Sequence, residues 1–353
     1  MIINRCYSEI MVYFDCDYQT GAHPDVMRRL VETNDVPTPG YGYDEYTAEA
    51  RHKILEACKC PDGDVFFLEG GTQTNSVVID WLIRRGEGVV CCETAHINVH
   101  EAGAIEASGH KVIALPQHDG KLDAAELKEY IAGFYADDTW RHMSAPAMVY
   151  ISFPTEVGTL YTRRELEDLS AVCREASIPL YIDGARLAYG LAASADLTIA
   201  DIASLCDIFY IGGTKCGALF GEAVVAREGK RLEGFFTHVK SRGALLAKGR
   251  LLGVQFDALF TDSLYTRIGR HAVALAQRLK TEFRSRGYRL LIDSPTNQQF
   301  FILPNSVVDS LAERVSFEYW GPRGENESAV RFVTSWSTTE SDIAAIFTES
   351  PGE

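Results

Sequence analysis

Seven short apolar runs, at residues 64–68, 88–93, 111–115, 148–153, 180–183, 207–211 and 218–226, alternate with longer mixed segments. Runs of this length, repeated at this interval, read as strands of a buried sheet rather than as helices. The segments between them are long enough for crossover helices, and 163–177 carries Leu166, Leu169, Val172 and Cys173 on one helical stripe. The rhythm predicts an α/β fold: one large, mostly parallel seven-stranded sheet with helices on both faces. After residue 226 the pattern changes to two long helices, over 243–260 and 263–286, and short strands near 299–303 and 330–335. That predicts a smaller C-terminal α+β domain. The first forty or so residues, with Gly21, Pro24, Pro37, Pro39, Gly40 and Gly42, are expected to form an irregular arm. The expected division is an arm over 1–45, a large domain over 46–255 and a small domain over 256–353.

Composition narrows the partners. No apolar stretch reaches the length of a membrane span, and mean hydropathy is -0.08. With 34 basic against 49 acidic residues the net charge is -15, which repels nucleic acid and anionic lipid. Nine cysteines without a CxxC pair fit neither a disulfide framework nor a thiolate metal site, so a reducing, cytoplasmic location is expected. Arg5 and Glu9 interrupt the apolar stretch that a signal peptide needs.

Ligands of open α/β sheets collect at the carboxyl ends of the strands, so the residues just past each run carry the information. At Leu68-Glu69-Gly70-Gly71-Thr72 a strand breaks at two glycines before a helix, a local form able to cradle an anion with backbone N–H groups and a hydroxyl, or simply a tight turn. Asp183-Gly-Ala-Arg186 ends a strand with a carboxylate, which either pairs with Arg186 or stabilises a cationic ring nitrogen of a cofactor. Gly212-Gly-Thr-Lys215 holds a lysine at the next strand end, 32 residues after Asp183, where desolvation favours a free amine able to form a Schiff base. His96 and His100 follow the second strand; without a third ligand nearby they do not read as a metal site. His96 is placed to lie on an aromatic cofactor, and His100 reads as structural.

Taken in order, these segments resemble the pyridoxal-phosphate enzymes of the aspartate-aminotransferase fold (fold type I), and most closely the low-specificity L-threonine aldolase family within the β-eliminating-lyase group. The likeness runs from about Phe14 to Ile346. It implies pyridoxal 5'-phosphate as cofactor, with Lys215 forming the Schiff base, Asp183 on the pyridine nitrogen and His96 stacked on the ring. It also implies Gly70, Gly71 and Thr72 on the phosphate, Arg186 in the cofactor site, and Arg186 and Arg331 gripping the carboxylate of an amino-acid substrate. The implied reaction is cleavage of threonine, allo-threonine or a related β-hydroxy-α-amino acid to glycine and an aldehyde. His96 is the first candidate for the base that takes the hydroxyl proton, and His142 the second.

Two stretches depart from the family pattern. Cys16 stands where serine or asparagine commonly touches the substrate carboxylate, and a thiol is a weaker donor. Ser152-Phe-Pro-Thr-Glu156 replaces the common Glu-Asn-Thr-His. The resemblance further implies a homodimer or homotetramer with shared sites, in which the basic 240–243 segment could reach a neighbour's phosphate. The competing readings are a β-eliminating lyase or transaminase using the same cofactor, and a non-catalytic module of the same fold.

Overall fold

The structure, a computed structural model, describes residues 11–347. All seven apolar runs enter one sheet, in the order Asp64–Leu68, Glu222–Ala226, Ile208–Gly212, Leu180–Asp183, Pro146–Ser152, Gly88–Cys92, Lys111–Leu115. Glu222–Ala226 is antiparallel to both its neighbours, and the other pairs are parallel. Gly88–Cys92, Ile208–Gly212 and Glu222–Ala226 are buried along their whole length, as continuous apolar runs in a two-faced sheet require. Strand order changes direction between Gly88–Cys92 and Pro146–Ser152, which opens a crevice at their carboxyl ends.

The C-terminal part adds a four-stranded antiparallel sheet, ordered Glu318–Tyr319, Glu327–Val333, Gln298–Pro304, Arg289–Ile292. The helix Leu264–Ser285 joins the two parts. Its Ile268, Ala272 and Val273 pack into the large core, whereas Leu275, Leu279 and Phe283 belong to a second core with Phe301, Val330 and Phe332.

The structure departs from the sequence reading in three places, the first being the run 218–226, which enters the sheet only from Glu222. The N-terminal segment is not irregular throughout. Pro24–Thr33 is a helix, with proline in its first turn and the His23 side chain accepting from Asp25 N at 3.2 Å, so a proline read as a breaker is a helix starter. The strand Val12–Tyr13 pairs in parallel with Val315–Ser316, and Phe14 is buried in the second core. Two residues are too short a strand to show a period. The helix expected over 243–260 begins only at Arg250, because Gly243 sits at φ +70° and ends the preceding helix.

Gly269 sets how closely the joining helix approaches Leu187–Ala193: a Cβ there would lie 2.2 Å from the Ala188 carbonyl oxygen. Gly269→Ala should therefore cost roughly 1–3 kcal/mol, since a backbone oxygen cannot move aside as a side chain does. A melt indistinguishable from that of the parent protein would contradict this account of the packing.

Candidate active site

The crevice gathers side chains from five strand ends. Asp183, the last residue of its strand, is 4% exposed. Its carboxylate accepts from Tyr150 Oη at 2.6 Å and Asn75 Nδ2 at 3.0 Å on one oxygen, and from Ala185 N at 2.9 Å on the other. Three donors converge on it, so the carboxylate is held as an acceptor. Strand geometry explains the tyrosines: Tyr150, Tyr181 and Tyr210 each stand two residues before a strand end, on the same face as Ser152, Asp183 and Gly212. Sequence reasoning missed all three, although counting back two from each strand-end residue would have found them.

His96 opens the short helix His96–Val99 after its strand, and is held twice. Its backbone N–H donates to Glu156 Oε1 at 2.9 Å, and its ring Nδ1 lies 2.8 Å from Glu101 Oε1. Glu156 also accepts from Ser152 Oγ at 2.5 Å, so the stretch that departs from the family pattern supplies a polar clasp on the His96 turn. Burial pushes the Glu156 carboxyl above its usual range. Glu101 Oε1 takes a second bond, from Asn75 Nδ2 at 2.7 Å. Asn75 lies three residues past Thr72 and Glu101 directly follows His100, but nothing in a one-dimensional pattern marks them.

Lys215 lies on the turn between two strands of the sheet, with its amine 5.9 Å from the Tyr18 ring centroid. Burial first, and then the neighbouring Arg186 guanidinium, lower its pKa. Arg186 does not pair with Asp183. Its Nε and Nη2 instead form a fork with Asp17, at 2.7 and 3.0 Å. Asp17 is completely buried, and although burial alone would raise its pKa, Arg186 and Lys215 bring it below the ordinary range. Cys16 is adjacent to Asp17, and burial raises its thiol pKa. Arg331 comes from the small sheet: it donates to Gln298 Oε1 at 2.8 Å, pairs with Glu318 and lies 5.2 Å over the Trp320 ring.

Gly70 and Gly71 stand at the start of the helix Gly71–Leu82, which has no side-chain cap. A Cβ on Gly70 would meet nothing within 4 Å, and Thr72 is exposed in the first turn. Tyr210 Oη is buried without a partner, 3.3 Å from where a Cβ on Gly71 would sit. Gly71 and the orphan phenol of Tyr210 line the crevice together, beside the uncapped helix start.

One sequence candidate, His142, stays outside the cluster. His142 is exposed on the turn Trp140–His142, before the amino end of Pro146–Ser152, whereas Asp183 pairs with Ser152 at the carboxyl end. A strand of that length spans about 20 Å, so His142 does not reach this chain's own crevice. His100, read as structural, is exposed, its ring 5.6 Å from that of His96. In the basic 240–243 segment, Lys240 lies 4.8 Å over the Tyr41 ring and Arg242 pairs with Asp80.

Comparison with known proteins agrees with this geometry. The profile of the β-eliminating lyase family matches residues 15–297. A low specificity L-threonine aldolase of Pseudomonas sp. is 31% identical over 340 residues, covering 94% of each chain. The solved structure of Leishmania major threonine aldolase superposes with a TM-score of 0.91 at 41% identity, over 95% of this chain and 97% of that one. At 12% identity and a TM-score of 0.72, Sphingomonas wittichii serine palmitoyltransferase shares the fold, covering 95% of this chain and 85% of its own.

Glu222, beneath the lysine turn, provides a pH test of the electrostatics. Burial pushes its carboxyl up to about 8, against bonds from Thr214 and from Gly213 N that lower it. A carboxyl with a raised folded pKa costs nothing when both states are protonated and destabilises the fold increasingly as pH rises toward 8. Glu222→Gln keeps an acceptor for Gly213 N–H, so it should raise the melting temperature at pH 8.5 and leave it unchanged at pH 4.5. Scanning fluorimetry at the two pH values checks this; an equal gain at both would contradict it.

Proposed function

The chain belongs to the β-eliminating lyase family, and from that premise we propose that it cleaves L-threonine and related β-hydroxy-α-amino acids to glycine and an aldehyde, using pyridoxal phosphate. The observation that carries this reading is the joint placement of a desolvated lysine, a donor-saturated carboxylate and a glutamate-held histidine in one crevice, in a chain so similar to threonine aldolases.

The residues present suit the cofactor. The uncapped helix start at Gly70 and Gly71, with Thr72 and the unpartnered Tyr210 hydroxyl, offers donors to a phosphate. Asp183, held as an acceptor, suits a protonated pyridine nitrogen, and Lys215, with its lowered pKa, suits a carbonyl carbon. Bound there, pyridoxal phosphate supplies a sink for the electron pair released at Cα.

The protein's own residues do the rest. Arg331, and the one nitrogen of Arg186 that Asp17 leaves unpaired, hold the substrate carboxylate, fixing which bond at Cα is aligned for cleavage. His96 takes the β-hydroxyl proton as the Cα–Cβ bond breaks and the aldehyde leaves, and a proton returned to Cα completes glycine. With His142 at the opposite edge of the sheet, His96 is the base that this chain supplies. Cys16, beside Asp17, borders the carboxylate end.

We also infer an assembly of two or four copies sharing sites, supported by the family relationship and by the exposed side chains of Tyr18, whose ring lies near the Lys215 amine, and Leu219, in the loop that follows it. A cytoplasmic location is supported by the free state of every described cysteine and by the absence, among the described residues, of a helix long and apolar enough to cross a membrane.

Incubation of the purified, cofactor-loaded protein with threonine should release acetaldehyde and glycine in equal amounts. Lys215→Ala should abolish the visible absorption of the bound cofactor and lower kcat by at least about 10³-fold. Pyruvate or another keto acid in place of aldehyde would move the assignment to the β-eliminating lyase or transaminase reading, which the same cofactor chemistry would serve.

A further inference from the structure

The ring of His96 faces a carboxylate that no solvent reaches. The Glu101 side chain is 0% exposed, yet its Oε1 lies 2.8 Å from His96 Nδ1 and accepts from Asn75 Nδ2 at 2.7 Å. The same amide nitrogen of Asn75 donates its other hydrogen to Asp183 Oδ2 at 3.0 Å. The orientation of that amide is forced. Tyr181 Oη donates to Asn75 Oδ1 at 2.9 Å, and turning the amide round would place its oxygen between two carboxylates. Asn75 is 0% exposed and has no other posture available. Its amide therefore bridges the carboxylate beneath the cofactor nitrogen to the carboxylate behind the base.

A carboxylate oxygen that already accepts from an amide can only accept again, so the hydrogen between Glu101 and His96 sits on Nδ1. That leaves Nε2 of the neutral imidazole as the lone-pair nitrogen. We propose that Glu101 is the positioning residue of this active site: it holds His96 in the Nδ1–H tautomer with Nε2 free to take the substrate hydroxyl proton, and Asn75 ties that pair to Asp183.

Among the described residues no other hydrogen bond reaches the ring. The other bonds to His96 are through its backbone: its N–H donates to Glu156, and its carbonyl accepts from His100 N at 2.9 Å. The ring of His100, 5.6 Å away, makes only a ring contact with that of His96. Glu101 Oε2 is buried and unpartnered, so the single oxygen Oε1 carries both bonds. A glutamine can reproduce this arrangement with its carbonyl oxygen and a leucine cannot, which separates the acceptor from the bulk of the side chain.

The inference rests on the aldolase reading, so its test combines activity with a measurement that needs neither cofactor nor substrate. Neutron diffraction from crystals of the perdeuterated protein at pH 8 should place deuterium on His96 Nδ1 and none on Nε2. Glu101→Gln should keep kcat for threonine within about 10-fold of the parent value. Glu101→Leu should lower kcat about 100-fold while KM changes by less than about 3-fold, because the base is disordered and the carboxylate grip is not. Deuterium on Nε2 alone, or a Glu101→Leu variant with parental kcat, would overturn the proposal. If Glu101→Leu fails to fold, the deuterium position and Glu101→Gln still decide it. A parent protein that releases no aldehyde from any β-hydroxy amino acid would instead refute the reaction assigned above, leaving the tautomer to be judged by diffraction.

Discussion

The buried fork between Arg186 and Asp17 is where three parts of the chain are fastened together. Asp17 comes from the N-terminal segment, Arg186 from the end of a strand in the large sheet, and Asn297, which donates to Asp17 at 2.9 Å, from the small domain. The same segment is tied into the small domain by Phe14, whose carbonyl accepts from Val333 N at 2.8 Å. A buried ion pair contributes little net stability over an apolar substitute, but losing one partner costs roughly 3–5 kcal/mol. Its value here is positional. It fixes Arg186 beside Lys215, whose pKa is lowered by burial and then by that guanidinium, against the opposing pull of Asp17, and it ties Arg186 to the small domain through Asn297.

A chain of net charge -15 that binds a phosphate and a carboxylate must overcome its own field locally. Arg186, Arg331, Lys215 and the uncapped start of Gly71–Leu82 do this in the crevice, while Asp17, Asp183, Glu101 and Glu222 are buried around them and Glu156 is half-buried. The acidic groups inside are occupied by donors rather than facing an incoming anion: Asp183 by tyrosine and amides, Glu101 by Asn75 and His96, Glu156 by Ser152 and a backbone N–H. The site thus sets its cationic groups in a framework of carboxylates that are held by donors, with Glu101 Oε2 the one buried oxygen among them left unpartnered.

How much of this could be read from the chain alone follows from the physics of each feature. The central strands were legible because a strand buried on both faces must be largely apolar, the edge strand Lys111–Leu115 because of its short apolar run, and Asp183, His96 and Lys215 because polar residues that end such strands stand out. Arg186 was found as a residue, but its partner was not, since Asp17 lies in an arm whose two-residue strand leaves no periodic trace. The tyrosines at 150, 181 and 210 looked like ordinary strand aromatics; only the alternation of faces, applied backward from the strand ends, reveals that they support the site. Asn75 and Glu101 were invisible because their roles depend on contacts between different strand ends. His142 was suggested by resemblance alone, and its position before a parallel strand puts it at the edge of the sheet away from this chain's own crevice.

The central claim is that the crevice holds its cofactor with the pyridine nitrogen on Asp183 and the imidazole of His96 over the ring. A crystal structure of the protein loaded with pyridoxal phosphate tests it most directly. The predicted result has the pyridine nitrogen within about 3 Å of an Asp183 oxygen, continuous density from Lys215 Nζ to the cofactor, and the phosphate at the start of Gly71–Leu82. Cofactor bound elsewhere, or a ring nitrogen turned away from Asp183, would contradict the account.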